Sequence, residues 1–465
     1  MERFVGQNIR YEYMRVAIIG AGISGLSIAK RLSEKNNGLV IDVYEASAKS
    51  GGRISSFDWR LKNKSVFSCD NGQHFTIGAY TDFIELLDKC DALKYWTRHS
   101  FEWNMLRLHG DDLHDLLQFK IKKLTLFNKT LVPYIKFVKT PTKLFFLKFY
   151  FSLFLLKNKF FHKHSLNCLY RKFFFSNASI NLFWKAFVES SMNTEFENSD
   201  VSTLSFLVNE CVKDIPTSLE ILIPETDYYS CAIKPIEKNL QQNGINFHFN
   251  SVVERIHPEK KIKCRGILSH SYDTIFLAVP GHIAAKIWKR SKYPATKESI
   301  LWENQKYRHI LNMWVVLPSA KAENNSNKKE ESFLWNPIEF KGSFYVVVIQ
   351  KKSKQPNIMS IIRSACNDIN LSEEEENLYE FAQKLLNKQY SVDLKHLDYK
   401  LIRAKRATIA CTHDQCKRST IWSGTRTGIK DIYKCSDEAS FNYPSTIEGA
   451  VRSGYLAAEN IKRFD

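Results

Sequence analysis

Apolar runs alternate with polar, glycine-marked breaks along this chain, and the first run is the clearest. Val16-Ala17-Ile18-Ile19 is β-prone throughout and stops at Gly20. Helix-compatible residues follow from Ser27 to Leu32, the chain turns near Asn36-Asn37-Gly38, and a second apolar run fills positions 39–44. Strand, helix and strand within about 30 residues make a βαβ unit. Residues 1–13 read as a tail before it.

Farther along, positions 245–249 and 274–279 read as strands, the second stopped by Pro280, and positions 343–350 and 358–362 follow suit. The Lys/Glu/Asn/Ser stretch 321–332 predicts a solvated loop. Ser372 with Glu375 predicts a capping box opening a helix through Phe381 and Leu385. The longest apolar patch, 144–156, includes Lys148 and falls short of the roughly 20 residues a membrane-spanning helix needs.

A length of 465 residues suits two or three domains. With 44% hydrophobic and 25% charged residues the chain is of globular type, which excludes collagen-like, mucin-like and disordered classes. Ten cysteines, scattered from Cys69 to Cys435 without a CxxC pair, predict free or buried thiols in a reducing compartment and no metal site. The charged N-terminus lacks the apolar core of a secretory signal, so a cytoplasmic location is expected.

Charge changes the picture. The formal net charge of +18 asks for an anionic partner or surface. Much of the excess lies in residues 116–188, which hold fourteen Lys or Arg, no carboxylate, and many of the Phe and Tyr residues. Three readings stay open for this segment. Nucleic-acid binding lacks any accompanying RRM-type or OB-type pattern, and no such partner is expected. A Lys-decorated helical subdomain with a Phe-rich core is the plainest. Peripheral attachment to an anionic membrane is the third, with Phe145, Phe146, Phe149, Leu153 and Phe154 entering the acyl boundary and lysines such as Lys120, Lys122 and Lys123 meeting headgroups.

Gly20-Ala21-Gly22-Ile23-Ser24-Gly25 is a GxGxxG, a weak signal alone. Here it follows a strand, opens a helix and precedes Glu45 at the end of the next strand. Gly20 permits the tight turn, Gly22 lets backbone approach a diphosphate, Gly25 allows close helix–sheet packing, and Ser24 lies in the same turn. Glu45 suits a ribose 2′-hydroxyl rather than a 2′-phosphate. Gly51, Gly52 and Arg53 then free further N–H groups and add a guanidinium fork matched to phosphate.

In this combination the sequence resembles the FAD-binding flavin amine oxidase and phytoene desaturase superfamily. Asp70-Asn71-Gly72-Gln73-His74 with Gly78-Ala79-Tyr80 is similar to the signature of one branch, the squalene-associated FAD-dependent desaturases or hydroxysqualene dehydroxylases. Phe183-Trp184 to Met192-Asn193-Thr194, Lys405-Arg406-Ala407-Thr408 and Pro444-Ser445-Thr446-Ile447-Glu448-Gly449-Ala450-Val451-Arg452-Ser453-Gly454 match further segments of that branch.

The resemblance implies non-covalent FAD and an α/β fold, a Rossmann-like FAD-binding domain of glutathione-reductase type interleaved with an α+β substrate domain. The expected divisions are 14–85, 227–285 and 425–465 for FAD, and 86–226 and 286–424 for substrate. Cofactor contacts are implied at Gly20, Gly22, Ser24, Gly25, Glu45, Gly51, Gly52, Arg53, Gly72, Val253, Asp437, Thr446 and Ile447. Asp437 takes the place of the family's Gly-Asp, with Ser436 for the glycine. Ser423-Gly424-Thr425 mimics that turn at the wrong spacing. Val253 is implied because Val252-Val253-Glu254-Arg255-Ile256 resembles the superfamily's short apolar segment whose backbone reads the adenine edge, the alternative being an ordinary core valine.

Gln73 and His74 would lie near the flavin, His74 either bonding the ring, shuttling a proton or simply packing. Glu189, Glu195 and Asp200 have no spacing that marks a general acid and read as solvated. The implied reaction is reductive loss of the hydroxyl of hydroxysqualene to give squalene, with reduced FAD as hydride donor, on a polyisoprenoid drawn from the inner face of the cell membrane. A carotenoid desaturase would leave nearly the same sequence. An amine oxidase often carries an aromatic residue two positions before the Glu-Gly, where this chain has Thr446. A basic membrane adaptor is the non-enzymatic alternative. Neither electron donor nor acceptor is legible.

Overall fold

The computed structural model describes residues 13–35, 38–126, 129–139, 143–172, 180–318, 333–350, 357–419, 426–437 and 443–461. The expected tail up to residue 12, the loop 321–332 and Ser423-Gly424-Thr425 lie outside the described residues.

The apolar opening runs form a parallel sheet because strands covered on both faces need side chains that are apolar on both. Its order is Asn246–His248, Leu39–Tyr44, Met14–Ile19, Thr274–Leu277, Ile432–Lys434. Alternate residues of each strand point to opposite faces. Val16, Ile18, Val43 and Phe276 pack with the helices Ile23–Lys35, Lys234–Gln242 and Ile447–Ala458. Ala17, Ile19, Ile275 and Leu277 pack under an antiparallel meander, Val253–Ile256, Lys261–Cys264 and Ile267–Ser271, and the helices Gly281–Arg290 and Lys297–Glu303. Helix Ile447–Ala458 lies so close to Ile23–Lys35 that a Cβ on Gly454 would stand 2.5 Å from the Ser24 carbonyl oxygen.

The second body is an eight-stranded sheet in the order Tyr399–Ile409, Tyr307–Val316, Ile358–Cys366, Ser343–Gln350, Phe333–Phe340, Glu102–His109, Asp112–Leu126, Lys129–Lys139. All neighbours are antiparallel except Phe333–Phe340 beside Glu102–His109. Helix Leu371–Tyr390 covers one face through Leu378, Phe381 and Leu385. The helices Lys143–Lys157, Trp184–Met192 and Val201–Val212 cover the other, around Trp103, Phe119 and Phe344.

Packing moves the expected divisions. Leu87, Ala92, Trp96 and Leu222 join the core of the parallel sheet, and Trp288 and Trp302 lie on its other face. The nucleotide body therefore extends past residue 85, begins again before 227 and continues past 285.

Two expectations about secondary structure change. Ser372 and Glu375 form no capping box: the helix opens at Leu371 after Asn370 without a side-chain cap. Glu375 instead accepts from Arg403 Nε at 2.7 Å, a charge-assisted bond that draws the carboxylate away from the backbone. A capping box forms instead at Thr296 with Ser299. The basic segment is not wholly helical, since through Lys139 it forms a long antiparallel hairpin, in keeping with its β-branched Ile121, Thr125, Val132, Ile135 and Val138.

Glu189 and Asp200 are buried rather than solvated. Asp200 caps Val201–Val212 through Thr203 N at 2.9 Å. Glu189 lies 3.3 Å from Arg363, and burial pushes its carboxyl up to about 7 against the attraction of that guanidinium. Glu195, half-buried, pairs with Arg308 at 2.8 Å.

Helix Lys143–Lys157 is apolar on two faces. Phe145, Phe149, Leu155 and Leu156 are buried in the core, while Leu147, Tyr150 and Phe154 are 69%, 53% and 62% exposed. Of the expected inserting set, Phe145 and Phe149 are therefore core residues, Leu153 is half-buried, and Phe154 alone faces out; the Phe146 side chain lies outside the described ones. Lys120 pairs with Glu102, and the side chains of Lys122 and Lys123 lie outside those described. No helix among the described residues is long and apolar enough to cross a membrane.

Candidate functional site: a diphosphate cradle between two bodies

The carboxyl ends of parallel strands, where open α/β sheets bind ligands, gather most of the residues singled out from sequence. Gly20 has φ +107°, and a Cβ there would stand 2.4 Å from the Ala278 carbonyl oxygen. A Cβ on Gly25 would meet the Gly20 carbonyl oxygen at 2.0 Å, which accounts for that glycine by packing. Gly22 differs, because the nearest atom to its Cβ position is Gly52 Cα at 4.0 Å. Gly51 N donates to the Ala21 carbonyl at 2.8 Å, so the second glycine turn lies alongside the first.

Glu45 is buried and holds the two turns together. Its Oε2 accepts from Ala21 N at 2.8 Å and its Oε1 from Ser47 N and Oγ at 2.9 and 2.8 Å. The Glu45 carbonyl accepts from Ser251 N at 2.7 Å, which brings the turn before Val253 beside the acid. Val253 itself is 8% exposed and packs in the same cluster as Tyr44.

Arg53 forms an ion pair with buried Asp437 and donates from Nη1 to the Ala407 carbonyl at 3.0 Å. Burial pushes the Asp437 carboxyl up, but adjacent Arg53 outweighs it and holds the group below the usual carboxylate range. Ser436, in place of glycine, is accommodated: its N–H donates to Ser453 Oγ at 3.0 Å and its hydroxyl accepts from fully buried Lys434 at 2.7 Å.

Thr446 is the N-cap of Ile447–Ala458, accepting from Gly449 N at 3.1 Å, and Ile447 is the first helical residue. Glu448 is fully buried and accepts from Asp82 N and Phe83 N at 3.1 and 2.9 Å, capping helix Thr81–Lys89 from across the fold.

His74 stacks edge-on against Tyr228 at 5.3 Å. Burial first, then nearby Arg53, lowers its pKa to about 4, so the ring is neutral at ordinary pH. A neutral imidazole carries one N–H and one acceptor lone pair, so it can bond a flavin ring or pass a proton from one nitrogen to the other. Gln73 accepts from Gln350 Nε2 at 3.1 Å, linking this loop to the large sheet. Nothing lies within 4 Å of a Cβ on Gly72, so its role rests on the motif alone.

A pocket of about 180 Å³ opens beside the cradle, lined by Arg53, Pro280, His282, Tyr307, Lys405, Arg406, Ile409 and Asp437. Sequence reasoning missed His282, Tyr307, Lys405 and Arg406 as site residues. The Lys405-Arg406-Ala407-Thr408 motif signalled the last two, without a role, and nothing in the sequence signalled His282 or Tyr307.

The residues fit the FAD that the resemblance implies. Ser24 Oγ, Ser50 Oγ and His74 Nε2 are buried without a hydrogen-bond partner among the described residues, and the space over Gly22 is open. The two hydroxyls can donate to phosphate, His74 Nε2 can donate to or accept from a ring atom, and the open space gives the diphosphate clearance.

Known proteins agree with the architecture. A 50% identical stretch of 62 residues is shared with hydroxysqualene dehydroxylase from Sinorhizobium fredii, 13% of this chain and 14% of that protein. A 35% identical stretch of 88 residues is shared with zeta-carotene desaturase from Solanum lycopersicum, 19% of this chain and 14% of that one. A 34% identical stretch of 94 residues matches 15-cis-phytoene desaturase from Synechococcus elongatus, 20% of this chain and 18% of that one. The chain thus spans under a fifth of the length of each curated relative it matches.

Solved structures share the fold over nearly the full length. An oxidoreductase from Methanosarcina mazei is 14% identical with TM-score 0.69, covering 96% of this chain and 100% of that one. A putrescine oxidase is 14% identical with TM-score 0.70, covering 96% and 98%. Residues 23–462 match the flavin containing amine oxidoreductase family, so the chain belongs to that family and is an FAD-dependent oxidoreductase.

Proposed function

We propose that the chain acts on a long isoprenoid lipid, and that its reaction is the reductive dehydroxylation of hydroxysqualene to squalene. The observation that carries the lipid reading is helix Lys143–Lys157, which keeps Leu147, Tyr150 and Phe154 exposed on a carboxylate-free stretch rich in lysine. An exposed apolar face on a lysine-rich stretch suits an anionic bilayer, from which an insoluble substrate must be taken. The cytoplasmic, inner-membrane location belongs to the same proposal. The short match to hydroxysqualene dehydroxylase supports the choice within the lipid class.

Bound FAD supplies a two-electron ring able to give or take hydride. The chain's own residues do the rest. Ser24, Ser50, Arg53 and the N-terminus of Ile23–Lys35 would hold the diphosphate, Glu45 the ribose, and His74, neutral, a polar atom of the ring. Thr446 is committed to a helix cap, which leaves that position without the aromatic wall an amine cage uses.

A second reading is carotenoid-type desaturation, favoured by the matches to zeta-carotene and phytoene desaturases. Incubating holoenzyme in anionic vesicles with hydroxysqualene, a phytoene-type polyene or a primary amine separates them. Squalene from reduced enzyme supports the proposal; new conjugated double bonds from oxidised enzyme support the second reading; amine oxidation alone refutes both.

A further inference from the structure

We propose that Arg406, with Lys405 beside it, is a second cationic ligand of the FAD diphosphate, delivered from the large sheet to a cradle built on the parallel sheet. The FAD cofactor is the premise; the lipid substrate is not needed for it.

The first support is charge. A diphosphate brings about two negative charges into a partly buried site, where a charge must be paired to be tolerated. Arg53 is the cation of the glycine-rich turns, yet its charge is already offset by Asp437. The helix N-terminus adds roughly half a positive charge. Lys434 is buried at the same site but bonded to the Ser436 hydroxyl at 2.7 Å, so there is room for further cations from outside the turns. His282 Nδ1 lies 3.2 Å from Tyr307 Oη, and burial and then Arg406 lower its pKa. Lys405 and Arg406 line the same pocket as Arg53 and Asp437, and neither makes an ion pair among the described residues.

The second support is how Arg406 is held. Strands Tyr307–Val316 and Tyr399–Ile409 lose register between Arg308 and Ile310, leaving Lys405-Arg406-Ala407 as a bulge on the second strand. Arg406 adopts φ +55°, a left-handed conformation unfavourable for a side chain of this size. Its N–H donates to His309 Nδ1 at 3.0 Å, and His309 Nε2 donates to Asp368 Oδ1 at 2.9 Å, so a buried ring and a carboxylate pin the strained residue. Ala407, next along, accepts from Arg53, and Thr408 Oγ1 accepts from Asn193 Nδ2 at 2.8 Å. A bulge held at Arg406 and Ala407 re-aims side chains at the cost of strain, which suits a ligand-holding role.

The test reads FAD release from diluted holoenzyme by the fluorescence of free flavin, without substrate. Arg406→Gly removes the guanidinium while suiting the left-handed backbone. It should resist denaturant in saturating FAD as well as the parent, yet release FAD about tenfold to a hundredfold more readily, the range of one charge-assisted hydrogen bond. Arg406→Lys should recover part of the loss and Lys405→Met should show a smaller one. ADP, which carries the diphosphate without the flavin, should lose the same factor as a competitor for FAD rebinding. Arg403→Ala, on the same strand but paired outward with Glu375, should retain FAD like the parent. Parental FAD retention by Arg406→Gly overturns the proposal, as does equal loss in Arg403→Ala. Absence of hydroxysqualene turnover bears on the proposed function and leaves this result unaffected.

Discussion

Two glycines three residues apart should fail in opposite ways when substituted. Gly25→Ala places a methyl 2.0 Å from the Gly20 carbonyl oxygen and 3.3 Å from Ala278 Cβ. Both neighbours belong to the turn and its adjoining strand and have little room to yield. Overpacking of this kind costs ~1–3 kcal/mol or more, only partly offset by the ~1 kcal/mol that alanine gains over glycine in a helix. Gly22→Val meets no atom closer than 4.0 Å at its Cβ, so its fold cost is about that of a poor residue at a helix start, ~1 kcal/mol. Its methyl groups instead fill the space through which a diphosphate would reach the backbone. Losing one or two bonds from backbone N–H to phosphate, at roughly 1.5–3 kcal/mol each, weakens FAD at least tenfold. Flavin-to-protein absorbance after purification and the guanidinium unfolding midpoint report the two effects separately. Gly25→Ala should be destabilised; Gly22→Val should be folded and poor in flavin. A folded Gly22→Val with parental flavin content would refute the assignment of this turn.

Other outcomes follow from the same geometry. Glu189 keeps its proton to about pH 7 in the folded protein, whereas the unfolded chain ionises near 4.5, so its contribution to stability is lost as pH rises through that window, by up to ~1.4 kcal/mol per unit. Glu189→Gln should flatten that slope in denaturant titrations; an unchanged slope would place the titration elsewhere. Glu448→Ala removes a fully buried cap from helix Thr81–Lys89 and should cost ~1–3 kcal/mol in the unfolding midpoint, while Glu448→Gln, which keeps an acceptor, should cost less. Leu147→Ser with Phe154→Ser should abolish salt-resistant sedimentation with anionic vesicles, since each side chain offers roughly 1.5–3 kcal/mol of burial, while FAD content stays parental; unchanged sedimentation would assign this face another role. Micromolar NADPH alone should not reduce the flavin rapidly, because Glu45 disfavours a 2′-phosphate; rapid stoichiometric reduction would refute this.

The nucleotide body was legible because its signals are local. Strand, glycines, acid and the Gly51-Gly52-Arg53 turn follow one another within a short stretch, and each residue type answers one steric or electrostatic demand. Thr446 was readable as the start of a second helix after Pro444, whereas Asp437 was readable only through the family pattern, since it reaches the cradle by strand order. What sequence could not carry was the environment of charges. Glu189 and Asp200 look like any surface carboxylate until Arg363 and the helix Val201–Val212 surround them. Residues 116–139 read as part of a basic, aromatic tract because lysine and phenylalanine occur in helix and strand alike; the hairpin is set by pairing with Glu102–His109. Lys405 and Arg406 enter the pocket through a register shift between two strands, which no spacing within either strand records.

The most direct test of the central claim is a single turnover. Holoenzyme reduced chemically without oxygen is mixed with hydroxysqualene in anionic vesicles, and flavin absorbance and extracted lipid are followed together. The proposal predicts that oxidised flavin returns with one squalene formed per flavin. Flavin that stays reduced while hydroxysqualene is recovered intact would contradict it.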